Sequence, residues 1–182
     1  GTTTWPLKPG GPTIGDRSEF YDLLIGKESL KFSSCHMTVF PDGRKEALHG
    51  HQFQPMVTLT LASAAFDDFT PFAVVKEAMR EISEEWDEKV LLAASNRHFQ
   101  LVRQSETSIE FKLCGKRYLL PSDEVVLLQT ENITCESLAH TYLHRLRVQL
   151  AELIDAPNVR AVQVRIEESP GQGAAFTYAK SR

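Results

Sequence analysis

Alternating polar and apolar residues predict strands in the first third of the chain. The alternation is clearest at residues 48–61, and a similar pattern at residues 30–40 predicts a second long strand. A shorter strand is predicted at residues 21–25. The turn-forming sequence Pro-Asp-Gly at residues 41–43 would fold the two long strands into a hairpin.

Two helices are predicted from apolar residues spaced three and four positions apart. Thr70 and Pro71 suit the N-cap and the first helical position of one helix, which ends near Trp86. Thr134 suits the N-cap of a second helix, whose apolar face extends to Leu153.

The remaining segments predict further strands. Residues 97–129 contain short alternating segments typical of an inserted β-hairpin or small meander, and residues 158–168 and 174–179 predict a final pair of strands. Antiparallel strand pairs that alternate with helices indicate the α+β class. Residues 1–18 are rich in Thr, Pro and Gly and are predicted to form a flexible arm, so that residues 19–182 form a single domain.

Composition and charge exclude several classes of function. The chain has 182 residues and a formal net charge of -4, which argues against nucleic acid as a partner. Its sequence has no apolar run long enough to span a membrane and no recognisable signal peptide. The three cysteines form no CxxC pair, so we expect free thiols in a reducing, cytoplasmic compartment.

Three histidines give the clearest chemical signal. His49 and His51 are two residues apart, so on a strand both imidazoles lie on one face, and His36 of the preceding strand could join them. Cys35 would point to the opposite face. Three imidazoles are a catalytic zinc ligand set that leaves a fourth position for water or substrate. The same spacing also occurs by chance, and Gly50 would weaken an ordinary strand unless another group approaches it closely.

Six segments in a fixed order carry a family resemblance. They are residues 31–36, 49–51, 66–69, 86–92, 134–139 and 164–169. Together they resemble the 6-pyruvoyl-tetrahydropterin synthase family, which includes the 6-carboxy-tetrahydropterin synthases. The resemblance implies the tunnelling fold, an antiparallel β-sheet packed by two helices. It also implies a homohexamer, a dimer of trimers, with active sites between subunits.

The resemblance further implies a metal and a substrate. It implies zinc held by His36, His49 and His51, and a small-molecule pterin substrate, usually 7,8-dihydroneopterin triphosphate. The implied activity is that of a lyase, in the folate, queuosine or biopterin pathway.

Four residues match positions that bind the pterin in the family. Glu168 matches the carboxylate that anchors the pterin ring, although Glu167 could replace it if the strand register slipped by one residue. Thr134, Cys135 and Glu136 fall where the family lines its pocket. Glu136 could instead only support the dipole of its helix.

Two positions depart from the synthase pattern. The family's general-base cysteine is absent, and Glu46 lies in that stretch, three residues before His49. One family subgroup has a glutamate there and cleaves the substrate side chain to give 6-hydroxymethyl-dihydropterin. Glu88 replaces the catalytic histidine that follows Asp87, so these two residues are either a different acid/base pair or a polar helix exit. Two functions follow: a zinc-dependent lyase with Glu46 transferring the proton, or a non-catalytic or divergent pterin-binding homologue that keeps the metal site.

Overall fold

Ten strands and three α-helices make up the fold in a computed structural model that describes residues 19–181. The strands are β1 Tyr21–Ile25, β2 Phe32–His36, β3 His49–Leu61, β4 Lys89–Ala93, β5 Phe99–Gln104, β6 Ser108–Leu113, β7 Lys116–Pro121, β8 Val125–Leu128, β9 Val159–Ser169 and β10 Gln172–Ala179. The helices are α1 Phe72–Trp86, α2 Cys135–Gln149 and α3 Ala151–Asp155. The predicted flexible arm, residues 1–18, lies outside the described residues.

The long strand β3 organises a seven-stranded sheet in which six strands follow the order β10-β9-β3-β2-β4-β8 and the seventh, β1, pairs with β3. One edge of β3 pairs first with β2 and then with β1, and its other edge pairs with β9. All of these pairs are antiparallel, as predicted, but β4 runs parallel to both β2 and β8. The prediction of antiparallel pairs alone was therefore wrong for this half of the sheet. Long connections, α1 before β4 and residues 94–124 before β8, return the chain so that each of these strands runs parallel to its neighbour.

The two long helices cover the sheet and bury one face each. The helix α1 begins one residue later than predicted: Pro71 is its N-cap, and no side chain caps it. Thr134 caps α2 as predicted, and it forms a reciprocal capping box with Ser137. The inward faces of the helices meet the sheet in one hydrophobic core centred on Trp86 and Tyr142. No helix within residues 19–181 is both long and apolar enough to cross a membrane.

The strands β5, β6 and β7 form a separate three-stranded antiparallel sheet, called here the meander. It occupies residues 99–121, within the region 97–129 where a hairpin or meander was predicted. The last part of that region, β8, instead pairs with β4 in the main sheet. A second, smaller hydrophobic cluster lies between the meander and the segment that follows β2, which contributes Met37 and Val39.

Candidate metal centre and active-site cavity

Three imidazoles converge where β2 pairs with β3. His36 is directly opposite His49, and His51 is opposite Ser34, so all three rings project from one face of the sheet. Their ring centroids are 4.6 to 5.3 Å apart, and the possible ligand atoms lie within 4.8 Å of one another. Gly50 has the close neighbour that its position predicted, because a Cβ there would lie 3.2 Å from the carbonyl oxygen of Ser34.

Backbone carbonyls fix the orientation of two of these rings. The Nδ1 atom of His36 lies 2.9 Å from the carbonyl oxygen of Ile133, and that of His49 lies 2.8 Å from the carbonyl oxygen of Ala47. A carbonyl only accepts, so each Nδ1 carries the proton and each Nε2 presents a free lone pair. Burial lowers the pKa of His36, with repulsion from His49 and His51 adding to the effect, so this imidazole is neutral at neutral pH.

The buried nitrogen of His36 supports metal binding. Its Nε2 atom is buried and has no hydrogen-bond partner within residues 19–181. Buried polar atoms nearly always have a partner, so an unpaired nitrogen that faces two more imidazoles suits coordination of a metal ion. Three imidazole nitrogens fit a divalent metal such as zinc.

Glu46 places a carboxylate beside these imidazoles. Its Oε2 atom is 3.8 Å from Nε2 of His49 and accepts a hydrogen bond of 3.3 Å from the backbone N–H of Thr38. Partial burial raises the pKa of Glu46, but the hydrogen bonds from Thr38 and the nearby imidazoles of His49 and His36 outweigh it. The pKa therefore lies below its usual value, and the carboxyl group is ionised at neutral pH.

Glu168, not Glu167, faces the imidazoles. Oε2 of Glu168 is 3.7 Å from Nε2 of His51, and its Oε1 accepts a hydrogen bond of 2.7 Å from the side-chain amide of Gln172. Glu167 points to the other face of β9, where it forms an ion pair with Arg165. The register of β9 is therefore the one that the sequence suggested.

A cavity of about 380 Å³ joins these groups. It is lined by His36, Thr38, Glu46, His49, His51, Thr134, Cys135, Glu136, Glu168, Gln172 and Gly173. Thr134, Cys135 and Glu136 reach it from the start of α2. Burial, together with the charges of Glu168 and Glu136, raises the pKa of the Cys135 thiol to about 11, so it stays protonated at neutral pH.

Asp87 and Glu88 lie outside the cavity of their own chain. Asp87 accepts a hydrogen bond of 2.7 Å from the backbone N–H of Ser33, and the backbone N–H of Glu88 donates to the carbonyl of Ser33. Both side chains are exposed, and Glu88 adopts a φ of 56° where α1 turns into β4. Within one chain, these two acidic residues do not join the candidate metal ligands.

Comparison with known proteins agrees with this geometry. A sequence model of the 6-pyruvoyl tetrahydropterin synthase family matches residues 25–179. The chain belongs to this family. It is similar to a putative 6-carboxy-5,6,7,8-tetrahydropterin synthase of Methanocaldococcus jannaschii, with 31% identity over 148 residues that cover 81% of this chain and 89% of the relative. Family membership supports a lyase that acts on a pterin, the activity class that the sequence resemblance implied.

Solved synthases share the fold. The 6-pyruvoyl tetrahydropterin synthase of Plasmodium falciparum superposes with a TM-score of 0.81 at 17% identity, covering 88% of this chain and 99% of that one. The Plasmodium vivax enzyme gives 0.81 at 19% identity, with 89% and 99% covered. Two further P. vivax structures are of variants in which a catalytic glutamate is replaced by alanine or cysteine. The likeness confirms the predicted tunnelling fold.

Three cavity residues were missed by sequence reasoning: Thr38, Gln172 and Gly173. Gly173 could have been suspected, since it follows a tight turn and lies at a β-bulge where an added Cβ would be 2.1 Å from a backbone oxygen of β9. Thr38 and Gln172 have no comparable signal, because polar residues near turns are common in any chain. Only the folding of distant segments onto one another brings Thr38 and Gln172 to the cavity.

Proposed function

We propose that this protein is a zinc-dependent lyase that acts on 7,8-dihydroneopterin triphosphate or a related pterin of the folate, queuosine or biopterin pathway. The proposal rests above all on one observation: the ionised carboxylate of Glu46 is 3.8 Å from Nε2 of His49, in the cavity that holds all three imidazoles. A base beside a metal centre is what proton transfer from a bound substrate requires.

The proposed zinc ligands are His36, His49 and His51. Their converging imidazole nitrogens and the fixed tautomers of the first two suit zinc, and three protein ligands are typical of catalytic zinc sites. When bound, zinc would supply a Lewis acid at the open fourth position, where hydroxyl groups of the substrate side chain become more acidic.

Glu168 is the proposed anchor for the pterin ring. A pterin edge offers a ring N–H beside an amino group, and one carboxylate can accept both hydrogen bonds. The Oε2 atom of Glu168 faces the cavity, while Gln172 holds its Oε1 atom. Thr134, Cys135 and Glu136 would line the same binding site, and a cavity of about 380 Å³ falls in the range of small-molecule sites.

Glu46 is the proposed proton-transfer residue. The carboxyl group is ionised at neutral pH, so it can accept a proton there without help from a second base. A catalytic glutamate also occurs in the similar P. vivax enzyme, which supports a glutamate in this role. General-base groups commonly contribute about 10²- to 10⁴-fold to a rate.

Asp87 and Glu88 are proposed to act in another subunit of a cytoplasmic homohexamer, a dimer of trimers. They are exposed and lie outside the cavity of their own chain, so only a second copy could bring them to an active site. Unpaired sheet edges favour assembly, and β1 carries the exposed apolar side chains of Tyr21 and Leu24.

The test is a chromatographic product assay on 7,8-dihydroneopterin triphosphate, paired with metal analysis. We expect about one zinc per chain. In Glu46→Ala, turnover should fall by about 10²-fold or more with zinc content unchanged. Asp42→Asn, in the same loop and paired with Arg44, is the matched control and should keep full turnover. Normal turnover in Glu46→Ala would exclude its role, and pterin binding by the zinc protein without any product would support a non-catalytic homologue instead.

A further inference from the structure

The loop that carries Glu46, residues 37–48, is packed against the meander. Met37 and Val39 are buried, with 3% and 7% of their surfaces exposed, in a hydrophobic cluster that also contains Ile109 and Phe111 of β6. Arg97, at the base of the meander, donates a hydrogen bond of 2.6 Å to the carbonyl of Pro41. The meander thus contacts the loop through both apolar and polar groups.

Lys45 connects the meander directly to the backbone of Glu46. Its ammonium group donates a hydrogen bond of 2.9 Å to the carbonyl oxygen of Glu46 and lies 5.3 Å from the centre of the Tyr118 ring on β7. The Tyr118 ring is itself fixed by stacking on Phe111, with centroids 5.0 Å apart and planes inclined by 10°. A cation held over an aromatic face in this way is attracted by the ring quadrupole.

The backbone of Glu46 is anchored on both sides as a result. Its N–H donates a hydrogen bond of 2.9 Å to the carbonyl of Thr38, and its carbonyl accepts from Lys45. The carboxylate beyond this backbone is 40% exposed, and the hydrogen bond of 3.3 Å from the Thr38 N–H holds it. The position of the carboxylate therefore depends strongly on where the backbone of Glu46 is held.

We propose that Lys45, held by the ring of Tyr118, is a positioning residue that sets the location of the Glu46 carboxylate. The inference rests on the proposed function of Glu46 as the proton-transfer residue. Catalytic groups must be held within a fraction of an ångström of their productive geometry, and loops hold them less well than sheets do. Through the contact between Tyr118 and Lys45, the meander would restrict the motion of the loop that carries Glu46.

The test compares disruptive and conservative variants at both positions. Tyr118→Leu removes the aromatic face, and Lys45→Met removes the cation but keeps an apolar chain. Each should lower kcat by about tenfold while KM changes by less than about twofold, since only the placement of the base is disturbed. Tyr118→Phe and Lys45→Arg keep the cation over the ring and should retain wild-type kcat. Leu119→Ala, at the exposed neighbour on β7, is the matched control and should leave kcat unchanged.

A second measurement is independent of activity. Hydrogen exchange of backbone amides in residues 37–48 should become about tenfold faster in Tyr118→Leu than in Tyr118→Phe, with exchange in β9 unchanged. Unchanged exchange in the loop would overturn the proposal whether or not the protein turns over the pterin. Lack of product from the wild type with faster loop exchange in Tyr118→Leu would contradict only the proposed function.

A double-mutant comparison separates positioning from general stability. In a Glu46→Ala background, Tyr118→Leu should cause no further loss of residual turnover, because the group that it positions is already absent. An equal loss in both backgrounds, or a loss in kcat that tracks a lower thermal midpoint, would show that Tyr118 only stabilises the fold.

Discussion

If the three histidines hold zinc as proposed, removal of the zinc should destabilise the fold, and the effect should depend on these histidines. The Nε2 atom of His36 is buried and lacks a hydrogen-bond partner within the described part of the chain. An unsatisfied buried polar group costs about 1–3 kcal/mol. A metal bound at this atom would remove that cost and would add the free energy of its own binding.

The size of the effect follows from linkage. Zinc that binds only the folded state stabilises it by about 4 kcal/mol when free zinc is at about 1,000 times its dissociation constant. For a chain of this length, each kcal/mol shifts the thermal midpoint by about 2–4 °C, so saturating zinc should raise it by about 8–16 °C.

The informative variant is His49→Ala rather than His36→Ala. The side chain of His49 is 36% exposed, so its removal costs little packing, whereas His36 is only 3% exposed and its loss would leave a cavity. The metal-free variant should melt within about 2 °C of the metal-free wild type and should lose the zinc-induced shift. His140→Ala, at an exposed histidine on α2, is the control and should keep the full shift.

The assay is calorimetry of chelator-treated protein with increasing zinc, with metal content measured on the same samples. Equal zinc-induced shifts in the wild type and in His49→Ala would refute the assignment of the metal to these imidazoles. The absence of any shift in the wild type, at zinc concentrations that saturate known zinc enzymes, would refute the inference drawn from the orphaned nitrogen.

Four further outcomes follow from the site and the sheet. Glu168→Gln should raise KM for the pterin by about 10- to 100-fold in steady-state kinetics, whereas Glu167→Gln should change it by less than about twofold, because only the first side chain faces the cavity. Cys135→Ser should leave the pH–rate profile between pH 6 and 9 unchanged, because the thiol, with a pKa of about 11, does not ionise there; an altered profile would implicate the thiol. Gly173→Ala should lower the thermal midpoint in calorimetry by several degrees, because a Cβ there would lie 2.1 Å from a backbone oxygen, and an unchanged midpoint would contradict the close approach. In the metal-free protein, the lowered pKa of His36 means that the unfolded chain binds more protons, so its contribution to stability is complete above pH 6.5 and is lost as the pH falls, a trend that denaturant titrations would detect.

The sequence predicted the shared face of the three histidines well because strand alternation is a local property. Once β2 and β3 were recognised as a hairpin, the period of two required His36, His49 and His51 to share a face and Cys35 to leave it. Glu168 was suggested by the family resemblance, and alternation along β9 places it on the face opposite to that of Glu167. Thr134 was predictable because an N-cap is determined by its nearest neighbours along the chain.

The parallel half of the sheet and the edges of the cavity could not be predicted in this way. The pairing of β4 with β2 and β8 joins segments that are far apart in sequence, and no local pattern specifies such pairing. The same holds for Asp87, whose place beside Ser33 depends on that pairing. Thr38 and Gln172 enter the cavity through a loop and a hairpin whose positions are set by the whole fold.

The two departures from the synthase pattern are chemically linked. A cysteine that acts as a base must first become a thiolate, and because its usual pKa is about 8.5 it needs a partner that removes the proton at neutral pH. A carboxylate needs no such partner, and the contacts of Glu46 lower its pKa further. With Glu46 as the proposed base in place of the cysteine, the histidine whose place Glu88 occupies would not be needed. The resulting base is weaker than a thiolate, so its efficiency would depend on how acidic the bound substrate becomes and on how closely the carboxylate is held. Both conditions depend on the loop between β2 and β3, in which Glu46 lies beside the imidazoles and the neighbouring Lys45 contacts Tyr118 of the meander.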